Sequence, residues 1–418
     1  MRRLIKNISL LAGILPASTT RLQGEAQGRL STLADAYLLI DGDSIACFGA
    51  MASLRGEGIV VDEEIDAEGG IVLPAWCDSH THIVYAGSRE GEFVDKIRGL
   101  DYETIARRGG GILNSADLLH RTSEDELYRQ AMRRVAEIAA KGTGCVEIKS
   151  GYGLNTADEI KMLRVIRRIK ETVPLHVVAT FLGAHAVPRE MDRASYVSLV
   201  VSDMIPNVGK EGLADYVDVF CDRGFFTPSD TERIVDAAAR WGMRAKLHAE
   251  ELAPTGGVET AVRCGALSVD HLESIDPSSI DLLRGSDTMA TLLPGTSFFS
   301  RMPYAPARTL VDAGIGVAVA SDYNPGSTPS GDMKFVVSLA CIQLRLTPEE
   351  AVNAATINGA YAMGAAADYG SITVGKKASL IITAPMPSLA YLPYAYTTPT
   401  VRRVLLHGEP LSGDWGEI

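Results

Sequence analysis

Between about residues 71 and 344 the chain repeats one pattern eight times, a short β-rich run followed by a segment of helical periodicity. The runs lie at 71–76 (leading into Asp78-Ser-His-Thr-His82), 144–150, 176–182, 216–221, 244–248, 267–271, 288–293 and 316–322. Helical stretches at 156–171, 228–241 and 306–313 fall between them, several opened by Ser, Thr or Pro, which suit the first turn of a helix. Consecutive βα units of this kind lay down parallel strands. Eight in a row predict an α/β fold, a (β/α)8 TIM-like barrel, with each strand delivering functional side chains at its C-terminal end.

The flanks read differently. Tyr37-Leu-Leu-Ile40, Asp41-Gly42-Asp43 and Ser44-Ile-Ala-Cys-Phe48 form an Asp-Gly hairpin signal, and strands are predicted at 379–383 and 401–406. The economical division is a small composite β-sandwich domain from residues 1–66 and 370–418, with the barrel, residues 67–369, inserted between its halves. The segment 322–344 then completes the barrel rather than starting another domain.

With 46% hydrophobic and 22% charged residues, the 418-residue chain has ordinary globular composition. Forty basic against 52 acidic residues give a formal charge of −12, which argues against nucleic-acid or anionic-membrane partners. An anionic ligand would need a local cationic anchor. The six cysteines are scattered with no CxxC pair, as expected of reduced, mostly buried thiols in a cytoplasmic protein. Arg2, Arg3 and Lys6 before the apolar run 8–15 echo a signal peptide, but Gly13 interrupts that run and Thr19-Thr20 is a poor cleavage site. A first β-strand is the expectation. No stretch approaches the roughly 20 apolar residues that span a bilayer.

Chemistry concentrates where strands end. In Asp78-Ser-His-Thr-His82, positions two apart share a strand face, so His80 and His82 can aim together into the barrel mouth. An isolated HxH is usually just a polar strand face, but this pair has company. His248 ends the fifth run, His271 the sixth and Asp322 the eighth, and five of the eight histidines (His80, His82, His185, His248, His271) fall at predicted strand ends. Three imidazoles and a carboxylate can fill the coordination sphere of a borderline cation while leaving a place for water. Glu251 follows His248 by three residues, within reach of a ligand, although an acidic residue near a helix start is also ordinary.

HxH after strand one, His after strands five and six, and Asp after strand eight together resemble the amidohydrolase superfamily. Within it the match narrows through Ala86-Gly-Ser-Arg89, Gly109-Gly-Gly-Ile112, Lys149-Ser-Gly-Tyr-Gly-Leu154, Thr180-Phe-Leu-Gly-Ala-His-Ala-Val-Pro188, His248-Ala-Glu-Glu-Leu252 and Ser321-Asp-Tyr-Asn-Pro-Gly-Ser327. These motifs resemble the branch that opens the imidazolone ring in histidine degradation. The implied reaction is metal-dependent hydrolysis of the cyclic amide of 4-imidazolone-5-propanoate, a small anionic heterocycle, to N-formimidoyl-L-glutamate. Binuclear relatives carry a carboxylated lysine at the end of strand four. Here that position reads Phe220-Cys-Asp-Arg223, so the resemblance implies one metal ion, zinc first and iron admissible, on His80, His82, His248 and Asp322.

The same resemblance casts Asp322 as proton acceptor, His271 as polariser of the ring carbonyl and Glu251 as donor to the leaving nitrogen, roles that the sequence leaves interchangeable. Arg89 is expected to anchor the carboxylate arm. Tyr152, in its Gly-Tyr-Gly turn, His185, Glu251, Asn324, Gly326 and Ser327 are expected to line the substrate site, with Tyr102 and the Gly109–Gly111 run closing over it. A homodimer is implied as well. Two alternatives stay open: a deaminase of a cyclic amidine or nucleobase, separable by ammonia release, and a catalytically silent scaffold, separable by metal content.

Overall fold

The computed structural model describes residues 1–54, 60–100 and 110–411, so Tyr102 and Gly109 lie outside the described residues. Eight parallel strands follow one another in chain order: Trp76–Asp78, Thr143–Lys149, His176–Ala184, Tyr216–Cys221, Arg244–Ala249, Ser268–His271, Met289–Leu292 and Val317–Val319. We refer to them as barrel strands one to eight. Nearly every residue in them is buried, as expected when helices cover the outside and side chains fill the inside. The intervening helices begin where the chain supplies caps. Asn155 accepts a hydrogen bond from the Asp158 amide ahead of Thr156–Thr172, and Thr227 forms a reciprocal box with Asp230 ahead of Pro228–Ala239, whose first residue is proline.

Strands one and eight, at the two ends of the ladder, are joined just beyond their C-termini. The Asp322 amide donates to the His80 carbonyl at 3.0 Å, and the His82 amide donates to the Tyr323 carbonyl at 2.9 Å. Lower down, the buried Asp78 carboxylate accepts from both the amide (2.9 Å) and the hydroxyl (2.6 Å) of Ser321.

Both ends of the chain feed one eight-stranded sheet. Its path runs Glu409–Pro410, Val401–Leu406, Leu380–Pro385, Gly70–Pro74, Arg2–Ala12, Thr32–Asp41, Ser44–Ala50, with Glu63–Asp66 also pairing to Arg2–Ala12. The Asp-Gly hairpin is present, with Gly42 at φ 62°, where glycine is favoured. An antiparallel bridge between Ser44 and Lys377 brings distant parts of the sheet together around a core that includes Ile5, Ile8, Leu38, Leu380 and Leu405. The run expected at 71–76 divides: Gly70–Pro74 pairs within this terminal sheet, and only Trp76–Asp78 belongs to the barrel. A continuous apolar run does not say which of two adjacent sheets it joins. Among the described residues no helix is long and apolar enough to cross a membrane.

Candidate active site

His80 and His82 sit directly after strand one with their Nε2 atoms 3.2 Å apart. Asp322 Oδ1 lies 3.6 Å from the first and 3.5 Å from the second. His248, near the end of strand five, completes a group of three histidines with ring nitrogens all within 4.8 Å of one another. A tetrahedral ion with metal–nitrogen distances of about 2.0–2.1 Å sets its ligand atoms roughly 3.3–3.4 Å apart, close to the spacings found here. His248 Nε2 is buried with no hydrogen-bond partner among the described residues. Burial is the main influence holding His80 and His82 far below the ordinary imidazole range, so both are neutral, the form that ligates. The donor set therefore fits a divalent ion.

The orientation of these rings comes from residues behind them. His80 Nδ1 donates to Asp270 at 2.7 Å, and Asp218 Oδ2 lies 3.0 Å from His248 Nδ1. Each contact leaves the opposite ring nitrogen, Nε2, facing the centre. Asp322 is fixed through Oδ2, which accepts from the Thr296 hydroxyl at 2.5 Å and, more weakly, from Ser327 at 3.4 Å. Asp322 (φ 52°) and His271 (φ 86°) both occupy the left-handed region that non-glycine residues rarely adopt, and both sit at strand ends facing the site.

His271 is placed beside two carboxylates, with its Nδ1 3.6 Å from Glu251 and 3.5 Å from Glu273. Burial opposes its charging, but Glu251 and Glu273 outweigh it and raise the imidazole well above its ordinary range. Burial likewise pushes the Glu251 carboxyl up to about 7, against the pull of His271. The two groups thus sit side by side, both drawn toward holding a proton at neutral pH.

One cavity of about 990 Å3 takes in this pair together with His82, His248 and Asp322. Arg89, Tyr152 and His185 line it, as do Asn324, Gly326 and Ser327. His80 is buried beneath it. The expected residues that fall within the described chain are therefore brought together, but several are already engaged. Arg89 gives Nε and Nη2 to Glu92 at 2.9 and 2.7 Å, and a Cβ on Gly326 would stand 2.2 Å from Nη1. The Asn324 side chain braces its own loop, donating to Ser327 Oγ and accepting from the Gly326 and Ser327 amides. Gly110 and Gly111, the described part of the glycine run, precede helix Ile112–His120, and the Gly111 amide donates to Glu92 at 3.1 Å.

The Gly-Tyr-Gly turn is built around a buried carboxylate. Glu159 accepts from the amides of Gly151, Gly153 and Leu154 at 3.1, 2.7 and 3.0 Å, and Gly151 has φ 114°. This fixes Tyr152, whose ring lies 5.4 Å from His185. His185 stacks on His82 with centroids 5.2 Å apart, and its Nδ1 donates to the Gly151 carbonyl at 2.9 Å. Burial pushes its pKa down to about 3, so it is a neutral ring.

Sequence reasoning missed Asp218, Asp270, Thr296, Glu92, Glu159 and Glu273. For Asp218 a signal existed, since it is a charged residue inside an otherwise apolar strand and so needs a partner.

Comparison with known proteins agrees with this geometry. A family model described as the amidohydrolase family matches residues 71–411. The imidazolonepropionase of Flavobacterium johnsoniae is 50% identical over 411 residues, covering 98% of this chain and 100% of that protein. That of Geobacillus kaustophilus is 40% identical over 417 residues, covering 99% and 97%. Among solved structures, a triazine hydrolase variant superposes with TM-score 0.76 at 17% identity, covering 99% of this chain and 95% of its own. An adenosine deaminase from Xanthomonas campestris with bound zinc gives TM-score 0.70 at 17% identity, covering 98% and 92%. These two likenesses speak for the fold alone. Sequence match and barrel architecture lead to one placement: the chain belongs to the imidazolonepropionase family of amidohydrolases.

Proposed function

We propose that this chain hydrolyses the cyclic amide of 4-imidazolone-5-propanoate, giving N-formimidoyl-L-glutamate. One observation carries the reading: the near-tetrahedral spacing of His80, His82 and Asp322 beside the Glu251–His271 pair, in a cavity that also presents Arg89. Zinc is the proposed ion, and the nitrogen and oxygen donors also admit iron. A divalent ion held by His80, His82, His248 and Asp322 supplies Lewis acidity that brings the pKa of water toward about 7.

The rest is the work of the chain. Asp322 accepts the proton of the attacking water on Oδ1 while Thr296 holds Oδ2. His271, whose charged form Glu273 supports while Glu251 carries its own proton, donates a hydrogen bond to the carbonyl oxygen as negative charge builds there. Glu251, with its raised pKa, gives a proton to the ring nitrogen as the C–N bond breaks. The substrate gains water across that bond, hydroxyl to carbon and hydrogen to nitrogen, and the site resets when the proton taken by Asp322 replaces the one given by Glu251. Arg89 pairs with the propanoate carboxylate through Nη1, with Glu92 holding the other side of the guanidinium. Tyr152, His185 and the Asn324–Ser327 loop shape the walls around the ring.

The test is direct. Incubated with imidazolone propanoate freshly generated by urocanase, the purified protein should remove the ring chromophore without releasing ammonia. An unchanged spectrum overturns the proposal, and ammonia release makes the chain a deaminase instead. Cytoplasmic placement and a homodimer belong to the same proposal, and a solution mass of twice the 44.7 kDa chain checks the second.

A further inference from the structure

Beneath the histidines lies a layer of charge that the reaction above does not use. Glu147 and Lys149 of strand two, Asp218 of strand four, Lys246 of strand five and Asp270 of strand six are all completely buried. In strand two, Glu147 and Lys149 are two residues apart and share a face; in strand five, Lys246 stands in the same relation to His248. Lys149 Nζ donates to Glu147 at 2.6 Å and to Asp218 at 2.8 Å, and lies 3.7 Å from Asp270. Lys246 donates to Glu147 and, at 2.9 Å, to the Ser79 carbonyl. Burial works against the Lys149 ammonium, but Asp218, Glu147 and Asp270 together outweigh it and keep it charged.

The two carboxylates on either side of Lys149 are the ones that orient ligand rings: Asp218 faces His248, and Asp270 faces His80. Without a cation between them they would repel one another, and each would be held only through its other oxygen, Asp218 by the His248 amide at 3.1 Å and Asp270 by the Ser268 hydroxyl at 2.6 Å. We infer that Lys149 is a positioning residue for the metal centre, its ammonium clamping Asp218 and Asp270 so that His80 and His248, carried by different strands, present Nε2 to a common point. This rests on the metal-centre reading above.

Fold stability alone does not account for such a cluster. A fully buried ion network costs much desolvation and can often be replaced by apolar side chains at no loss of stability. What it does supply is a fixed geometry. Strands two, four and six are tied at one level directly under the site.

The variants to compare are Lys149→Met and the charge-balanced pair Lys149→Met with Glu147→Gln, which removes one positive and one negative group and protects folding. Asp270→Asn, which keeps a hydrogen-bond acceptor for His80, tests the clamp from its other side. Metal affinity is read with zinc by chelator competition on folded protein, with thermal unfolding of the metal-free forms measured alongside. The expected result is a 10- to 100-fold weaker zinc affinity in every folded variant, the usual cost of losing a group that orients a ligand. For the charge-balanced variant the metal-free unfolding temperature should stay near wild type. Zinc affinity within twofold of wild type in the charge-balanced variant or in Asp270→Asn overturns the inference, as does a loss that only tracks the unfolded fraction. A wild-type chain that binds no zinc is a separate result, which defeats the metal-centre reading itself.

Discussion

Thr296→Val is the substitution that most cleanly separates orientation from chemistry. Thr296 does not itself line the cavity, yet its hydroxyl is the main partner of Asp322 Oδ2, at 2.5 Å in a buried setting. Valine keeps the shape and removes the donor to Asp322, together with the acceptor for the Thr328 hydroxyl 2.9 Å away. A hydrogen bond to a charged acceptor contributes about 1.5–3 kcal/mol. At about 1.36 kcal/mol per tenfold in rate, that range corresponds to roughly 10- to 150-fold in kcat if all of it serves to aim the carboxylate. Ser327 Oγ, at 3.4 Å, can take up part of the lost contact, which puts the expected loss at the lower end, about 10- to 30-fold. KM should hold, because Thr296 is not on the substrate side. Steady-state rates from loss of the imidazolone chromophore give both constants, and metal content confirms that the site is still loaded. Ser327→Ala is the comparison variant: its long contact to Asp322 predicts a change in kcat of no more than a few fold, while the lost bond from Asn324 at 2.7 Å falls on the substrate loop and is read in KM. A Thr296→Val enzyme with kcat within twofold of wild type, or one slower than Ser327→Ala only through KM, would refute the idea that Asp322 is aimed by this bond.

Asp322→Asn should abolish turnover while leaving thermal unfolding close to wild type; near-normal rates would remove its role as proton acceptor. Arg89→Ala should raise KM by about 10- to 100-fold, the size of a lost charge-assisted contact, and an unchanged KM would count against the anchor. Because burial puts the Glu251 carboxyl near 7, its protonated fraction falls as pH rises through that value, so kcat should decline on the alkaline side. Glu251→Gln should be slow and lack that decline; a persisting alkaline limb would assign it to another group. Elemental analysis should find one metal ion per chain, and a reproducible two would overturn the single-ion site.

The barrel was readable because its strands alternate with helices at regular intervals and end in histidines that a solvated strand would not gather. The proposed ligands came from the same logic, since HxH needs only the two-residue period of a strand to converge. What the chain order does not encode is which strand lies beside which at what height. Lys149, Asp218 and Asp270 lie in separate runs of the chain, and only the stagger of strands two, four and six makes them a network. Register also decided the fate of Gly70–Pro74, whose uniform apolar face suits either sheet. Arg89 illustrates a different limit. Its presence at the site was legible, but its existing partner Glu92 lies one helical turn on and reads as an unremarkable surface acid.

The backbone that joins the last strand to the first is the same backbone that carries the proposed ligands: the Asp322 amide rests on the His80 carbonyl, and the His82 amide on that of Tyr323. A polypeptide that has laid down seven strands but not sealed the eighth against the first holds its histidines without their acidic partner. With the proposed ligand set, retention of an ion would audit the whole ring, since full coordination would be reached only by molecules whose two most distant strands have met.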